Sequence, residues 1–116
     1  MSVLSFNAFI PHLIKSVPEL IPLYDEHINE YDEMLEHVFL GEVTRFIESS
    51  YKSKNKSYVL NRIFELFDSV FNSEDEKLVE LISVSFLENL TKDDEDYRNI
   101  KNMLSRSMQN ELRLYE

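Results

Sequence analysis

The sequence predicts an all-α fold: a compact bundle of about five to seven helices, with no sheet. The first reason is the scarcity of turn residues. The 116 residues include one glycine, Gly41, and three prolines, whereas an all-β chain of this length needs many turns. The second reason is that apolar side chains recur at helical spacing along almost the whole chain. Stacked antiparallel helix pairs, as in a HEAT-like solenoid, are an alternative arrangement.

The length and a hydrophobic content of 43% suit one helical domain over residues 1–116, with one core. The densest apolar run, residues 76–90, is predicted to be its central helix. At 100° per residue one stripe of that helix consists of Val79, Ile82, Phe86 and Leu90, and it is widened by Leu78, Leu81 and Val84. A helix that is apolar over most of its surface is buried by several neighbours. Ser83 and Ser85 are expected to let those neighbours approach closely.

The first helix is predicted over residues 5–17. Its apolar residues follow helical spacing and are Phe6, Phe9, Ile10, Leu13 and Ile14. Asn7 is the expected N-cap. Pro11 would then lie in the first turn, where its missing N–H removes no intrahelical hydrogen bond.

A second helix is predicted from the capping-box pattern of Ser16 and Glu19, with Pro18 near its start. Pro22 conflicts with that start and leaves two alternatives. Either the helix begins nearer Pro18, or it bends at Pro22. The helix is expected to end near Tyr31.

A third helix is predicted over residues 34–50, with Leu35, Val38, Phe39, Val43, Phe46 and Ile47 on its buried face. Gly41 inside it is best explained by the close approach of a neighbouring helix. A backbone contact to a ligand is the less favoured explanation. A polar loop is expected over residues 51–57, and Ser57 can cap a fourth helix that runs to about Asn72.

Three further boundaries follow from polar residues near the C-terminal half of the chain. Ser73 and Glu76 form a capping-box pattern for the central helix. Thr91 and Asp94 indicate another helix start, led by acids. The last helical region is expected to break around residues 105–107.

Composition narrows the classes of function. The chain has no cysteine, which excludes disulfides, zinc–thiolate sites and thiol nucleophiles and fits a reducing cytoplasm. No apolar run approaches the roughly 20 residues that span a bilayer. The N-terminus lacks a basic region followed by an apolar one, so no secretory signal is predicted. The expected location is the cytoplasm.

The histidines do not fall into a known metal-site pattern. His12, His27 and His37 form neither a His-Glu-x-x-His motif nor a Glu-x-x-His pair. Glu33 and His37 are one helical turn apart, which is more often a surface pair. No phosphate-binding loop or nucleophile elbow occurs. We expect no catalytic residue, metal or cofactor, and a carboxylate–histidine metal enzyme using His27 and His37 ranks last among the alternatives.

Net charge gives the first information on partners. The chain carries 22 acidic and 12 basic residues, for a net charge of −10. Such a surface repels phosphate backbones and anionic membranes. A basic protein is the favoured partner, because opposite charges steer encounter.

The acids are concentrated in one segment. Between Ser16 and Thr44 there are eight acids and no Lys or Arg. The predicted partner-binding residues are Tyr24, Asp25, Glu26, Glu30, Tyr31, Asp32, Glu33 and Glu36. Tyrosines supply contact area and acids pair with Lys and Arg. The alternative is a solvated face that only keeps the protein soluble.

Three stretches resemble a family of small acidic helical bacterial immunity proteins, known from contact-dependent growth inhibition and related polymorphic-toxin systems. They are PELIPLYDEH (Pro18–His27), HVFLGEVTRFI (His37–Ile47) and ISVSFLENL (Ile82–Leu90). Most of the matching positions are apolar residues that suit a helical core. Members of the family accompany different toxins, so the resemblance does not identify the target.

The resemblance implies a non-enzymatic cytoplasmic protein that forms a heterodimer with a cognate toxin domain and covers its basic active site. A nuclease is the expected toxin, with an RNase favoured over a DNase. A regulatory or scaffold module that binds another protein without any toxin is the alternative.

Overall fold

The computed structural model describes residues 5–53, 57–92 and 95–116. Its α-helices are α1 (Phe6–Ser16), α2 (Ile21–Tyr31), α3 (Glu36–Ser53), α4 (Ser57–Phe71), α5 (Glu76–Ile82), α6 (Glu95–Met103) and α7 (Arg106–Leu112). A 3-10 turn, Pro18–Leu20, precedes α2, and a second, Arg113–Tyr115, follows α7. A π-helical segment, Ser83–Leu87, continues α5. No strand occurs in these ranges, so the all-α prediction is confirmed.

Phe86 lies at the centre of the core, as the apolar density of its segment predicted. Its side chain is fully buried. Its ring meets Phe67 edge-on at 4.9 Å between centroids and lies 6.0 Å from Phe64, both on α4. Phe67 in turn lies 6.2 Å from Phe9 on α1. Such pairs add about 0.5–1.5 kcal/mol beyond the burial of apolar area.

The central helix was expected to be α-helical over residues 76–90. Instead it is α-helical only over Glu76–Ile82 and continues as a π-helical segment over Ser83–Leu87. The Glu88 N–H donates to the Ser83 carbonyl at 2.8 Å, five residues back. The carbonyl of Ser85 instead accepts from the Thr44 hydroxyl at 3.0 Å and from the Asn89 amide at 3.4 Å. These side chains satisfy a carbonyl that the wider turn leaves without its usual partner.

The central segment exposes one apolar residue that was predicted to be buried. Val84 was predicted to widen the buried stripe, but 42% of it is exposed. Val79 is half-buried, whereas Ser83 and Ser85 are buried. At 100° per residue Val84 lies about 40° from the exposed Glu80 one turn earlier, so its helical position faces solvent and its apolar character misled the prediction.

The N-terminal boundary of α1 differs from the prediction. The helix begins at Phe6 with Ser5 as its N-cap, so the assignment of Asn7 as the N-cap is wrong. The Ala8 N–H donates to the Ser5 carbonyl at 3.1 Å and closes the first turn, so the N-cap lies two residues earlier than expected. Pro11 consequently lies inside the helix and is exposed there, where water can reach the carbonyl that its missing N–H leaves free.

The predicted capping box of Ser16 and Glu19 does not form. Arg62 on α4 takes the Glu19 carboxylate: its guanidinium donates to both carboxylate oxygens at 2.8 Å, and also to the Ser16 backbone carbonyl at 2.9 Å. Pro18 opens a 3-10 turn, and α2 begins at Ile21 with Pro22 in its first turn. Of the two alternatives for Pro22, the start near Pro18 is confirmed, because the helical turns begin there in 3-10 form and become α-helical at Ile21.

Helix α3 continues to Ser53, so a loop over residues 51–57 is wrong at its first three residues; residues 54–56 lie outside the described ranges. Gly41 packs against the central segment, as predicted. A Cβ atom there would lie 3.2 Å from Asn89 Nδ2, which is tighter than ordinary contact. Val38, expected on the buried face, is 41% exposed.

The central helix is capped by Asp75 and not by Ser73. The Asp75 carboxylate accepts from the Lys77 and Leu78 N–H groups, at 3.0 and 3.2 Å. The Ser73 hydroxyl donates to the Val70 carbonyl at 2.6 Å and so closes α4 instead of opening α5.

The boundaries after the central segment agree better with the prediction. Ser105 N-caps α7, which confirms the break expected around residues 105–107. The helix start expected from Thr91 and Asp94 falls partly on residues 93–94, outside the described ranges. Helix α6 begins at Glu95.

Helix α3 and the π-helical segment form the centre of the arrangement. Helix α3 packs against α2, α4, α5, α6 and the π-helical segment, whereas a solenoid unit contacts only its neighbours along the chain. The radius of gyration is 13.5 Å, close to the roughly 13.4 Å of a compact domain of this length. The compact bundle therefore describes the fold better than stacked helix pairs.

Candidate functional site

Helix α2 separates the predicted partner-binding residues into an inner and an outer set. Tyr24 is half-buried and meets Phe39 edge-on, with 6.2 Å between ring centroids. The exposed acids are Asp25, Glu26 and Glu30 on α2, with Asp32 and Glu33 in the turn after it. We call these five residues the acidic face. Tyr24 fixes the helix to the core, and the acids face solvent.

His27 holds the acidic face in place. It is 1% exposed, and its ring lies 4.8 Å from the Tyr31 ring and 5.4 Å from that of Phe39. The Leu35 N–H donates to Nε2 at 3.1 Å, so Nε2 carries no proton. The proton is then on Nδ1, which donates to the Glu42 carboxylate at 2.8 Å. One side chain thus links α2, the following turn and α3.

The turn after α2 relies on an unusual backbone conformation at Asp32. Its φ is 61°, in the left-handed region, and its N–H donates to the Ile28 carbonyl at 2.8 Å. This is the αL type of helix end, which glycine usually makes and which Asp and Asn tolerate. The turn ends α2 at Tyr31, as predicted, and leaves Asp32 and Glu33 exposed.

A cleft of about 290 Å³ runs between α2 and α3 beside the acidic face. It is lined by Leu23, Glu26, His27, Glu30, Glu42 and Arg45. The Arg45 guanidinium is committed elsewhere, since it donates to Glu48, to Thr91 Oγ1 at 2.9 Å and to Asn89 Oδ1 at 2.8 Å. Three carboxylates thus line a cleft whose one arginine is bonded to neighbouring residues, and the cleft favours a cation.

The structure therefore brings most of the predicted site together. Besides the acidic face, Tyr31 is 37% exposed at the end of α2. Glu36 is half-buried in the first turn of α3, where the helix dipole favours an acid. Two acids of the same segment are used internally: Glu19 pairs with Arg62, and Glu42 with His27.

A second acidic cleft, of about 370 Å³, was not predicted. It lies between α5 and the C-terminal end of the chain and is lined by Glu74, Glu76, Glu80, Glu111, Val79 and Val84, among others. Within it the Ser83 hydroxyl donates to Glu111 at 2.6 Å and contacts the Tyr115 hydroxyl at 2.6 Å. These acids come from distant parts of the chain, so a count along the sequence does not reveal them. The one local signal was the spacing of Glu76 and Glu80 by a single helical turn.

The histidines named for a metal site have separate partners. His27 uses both ring nitrogens within the protein. His37 Nδ1 lies 2.6 Å from the Ser85 hydroxyl, which belongs to a buried residue of the π-helical segment. Among the described residues, no group of three or more acids and histidines is placed to hold a metal ion. No helix in the same ranges is long and apolar enough to cross a membrane.

Comparison with known proteins gives a family. Residues 10–115 match the model of a family described as a domain of unknown function, DUF7674. The chain belongs to the DUF7674 family. No curated protein and no solved structure matches it. The DUF7674 match includes the whole acidic face.

Proposed function

We propose that this chain is an immunity protein that binds a cognate bacterial toxin domain in the cytoplasm and neutralises it by covering a basic active site. The expected toxin is a nuclease, and an RNase is favoured over a DNase. The observation that carries the proposal is the acidic face: five exposed carboxylates on α2 and the turn after it.

The charges of the acidic face are available to a partner. None of the five carboxylates forms an ion pair with a described residue. A Lys or Arg of the partner at 4 Å gains about 1 kcal/mol per pair in bulk water and about 4 kcal/mol at an effective dielectric constant of 20. Several such pairs also accelerate association at low salt. A nuclease cleft that binds a phosphate backbone offers such cations.

Tyr31 supplies the apolar part of the contact. Its exposed ring rests against the buried ring of His27, so its position is fixed before binding. A fixed aromatic side chain loses little conformational entropy on binding, and such residues often dominate interface energies. Tyr31 and the adjacent carboxylates therefore combine an anchor with a charged rim.

The resemblance of residues 18–27, 37–47 and 82–90 to immunity proteins also supports the proposal. The resemblance suggests that the basic partner is a toxin, whereas the charge of the acidic face suggests only that the partner is basic. A regulatory or scaffold module would use the same acidic face on another basic protein. An immunity protein and a scaffold module differ in their partners: the partner of an immunity protein inhibits growth when it is expressed alone, and the partner of a scaffold does not.

The test is co-expression with the protein encoded by the adjacent gene. That protein alone should stop growth, and this chain should restore growth and co-purify with it as a heterodimer. A neighbour that co-purifies without inhibiting growth would favour the scaffold function. A toxic neighbour that this chain neither binds nor neutralises would contradict the proposal.

A further inference from the structure

A cleft of about 770 Å³ lies between α6 and the second 3-10 turn, and its charge is opposite to that of the acidic face. It is lined by Lys92, Glu95, Tyr97, Arg98, Lys101 and Tyr115, and Glu116 enters it. Three cations line one cleft in a chain with a net charge of −10. The volume is in the range of roughly 300–1,000 Å³ that small-molecule sites occupy.

One carboxylate of the protein is bound in this cleft. Glu116 Oε2 accepts from Lys101 Nζ at 2.8 Å and from the Tyr97 hydroxyl. The hydrogen bond from Lys101, and then that from Tyr97, holds the pKa of Glu116 below its ordinary value. Burial, followed by the contact with Glu116, raises the pKa of Tyr97, so its hydroxyl stays a proton donor. Two donors thus converge on a single anionic oxygen.

The donors belong to a built site and not to loose surface chains. Tyr97 is 8% exposed, so its hydroxyl is held by the packing of its ring. Lys92 lies 6.0 Å from that ring, and its ammonium donates to the Leu87, Glu88 and Leu90 carbonyls at 2.8–3.1 Å. Arg98 is exposed at the cleft and forms no ion pair with a described residue. It can therefore pair with an incoming anion.

We propose that this cleft is a binding site for a small organic carboxylate, which exchanges with the side chain of Glu116. The ligand's carboxylate takes the place of the Glu116 carboxylate between Lys101 and Tyr97. Its apolar part lies against the Tyr97 and Tyr115 rings, and Arg98 closes the outer edge. A carboxylate is favoured over phosphate, because the protein's own occupant is a carboxylate held through one oxygen.

The Glu116 carboxylate competes with an external carboxylate for the same donors, so the affinity of the cleft for a ligand is low while Glu116 is bound there. A tethered group competes at an effective concentration in the millimolar range for short tethers. The alternative is that Glu116 only fastens the last turn to α6. The two explanations predict different results when Glu116 no longer carries a charge. If the cleft is a binding site, it then binds external carboxylates; if Glu116 only fastens the last turn, no carboxylate binds.

Benzoate is a suitable probe, titrated into ¹⁵N-labelled full-length protein while the amide signals of residues 97–116 are followed. E116Q should bind benzoate about tenfold more tightly than wild type, and acetate and phosphate should bind it more weakly. K101M or Y97F in the E116Q background should remove the gain. Circular dichroism and thermal melting establish that each variant is folded.

E95Q is the matched control, since Glu95 lines the same cleft and its removal changes the charge equally without freeing a donor. It should bind benzoate within about twofold of wild type. An equal gain in E95Q would mean that charge alone acts and would overturn the exchange. Folded E116Q that binds no benzoate, or that prefers phosphate, would overturn the assignment of the ligand.

Discussion

His27 Nδ1 lies 2.8 Å from Glu42 Oε1, and this partly buried contact joins α2 to α3 beside the acidic face. The other ring nitrogen accepts the Leu35 N–H. The acidic segment is therefore organised around a neutral histidine that positions the acids and uses both of its nitrogens in doing so.

Replacing His27 should destabilise the protein. H27A leaves a cavity, an unsatisfied Leu35 N–H and an unpaired Glu42, and we expect a loss of about 2–4 kcal/mol in the free energy of unfolding. Urea denaturation measures it. H12A is the control, because His12 is only half-buried, and it should change the free energy by about 1 kcal/mol or less. H27A within 0.5 kcal/mol of wild type, roughly the range of a surface change, would remove His27 from this role.

The turn at Asp32 should accept only certain residues. D32N and D32G are expected to be close to neutral, because both residues adopt positive φ. D32V should cost about 1–2 kcal/mol, because a β-branched side chain clashes there. E33V is the matched control at a neighbouring exposed position without positive φ. Thermal melting should give a lower midpoint for D32V than for E33V. Equal midpoints for the two variants would contradict the left-handed conformation of Asp32.

The exposed position of Val84 within the apolar central segment gives a specific prediction. F86D and L81D place a charge at fully buried positions and should unfold the protein. V84D should stay folded and lose about 1 kcal/mol or less, because Val84 faces solvent. Far-ultraviolet circular dichroism and urea midpoints compare them. An unfolded V84D would mean that Val84 is buried after all, and a folded, normally melting F86D would mean that the core is elsewhere.

The contact of Glu116 with Lys101 and Tyr97 should make stability depend on pH. Its folded-state pKa is lowered from the ordinary value of 4.5, first by Lys101 and then by Tyr97. A lowered pKa stabilises the fold above the unfolded value and loses that contribution as pH falls through the folded value. The urea midpoint of wild type should therefore exceed that of E116Q at pH 7, and the difference should shrink below pH 4.5. A difference that is constant with pH would contradict this contact.

Periodicity and turn composition predicted the fold class and the position of the core well. Phe86 and Leu81 were placed correctly because their burial depends only on local apolar density. The π-helical turn was missed, since the Ser85 carbonyl within it bonds to Thr44, a residue 41 positions away. The capping box of Ser16 and Glu19 failed for a similar reason, because Arg62 on a distant helix takes the Glu19 carboxylate.

The candidate site was also predicted only in part, and again the local features were predicted while the long-range contacts were not. A run of acids with no cation is visible in the sequence, and most of it is exposed. The buried link from His27 to Glu42 was not predicted, because it joins residues 15 positions apart. The second acidic cleft was missed because its side chains come from distant parts of the chain. The basic cleft around Lys101 was missed because Tyr115 and Glu116, beyond α7, complete it.

The central claim is tested most directly by reversing the charge of the acidic face. The triple variant E26K/E30K/E33K changes three of its exposed carboxylates and spares the conformation of Asp32. The matched control E65K/E74K/E80K changes three exposed carboxylates elsewhere and alters the net charge equally. Association with the proposed toxin, the product of the adjacent gene, is followed by stopped-flow fluorescence at several salt concentrations.

We predict that E26K/E30K/E33K associates at least about tenfold more slowly than wild type at low salt and loses most of the salt dependence, because steering by opposite charges is removed. E65K/E74K/E80K should keep most of the wild-type association rate and most of its salt dependence. Equal slowing by the two triples would mean that net charge alone acts. An unchanged rate and salt dependence in folded E26K/E30K/E33K would show that the proposed toxin does not bind the acidic face.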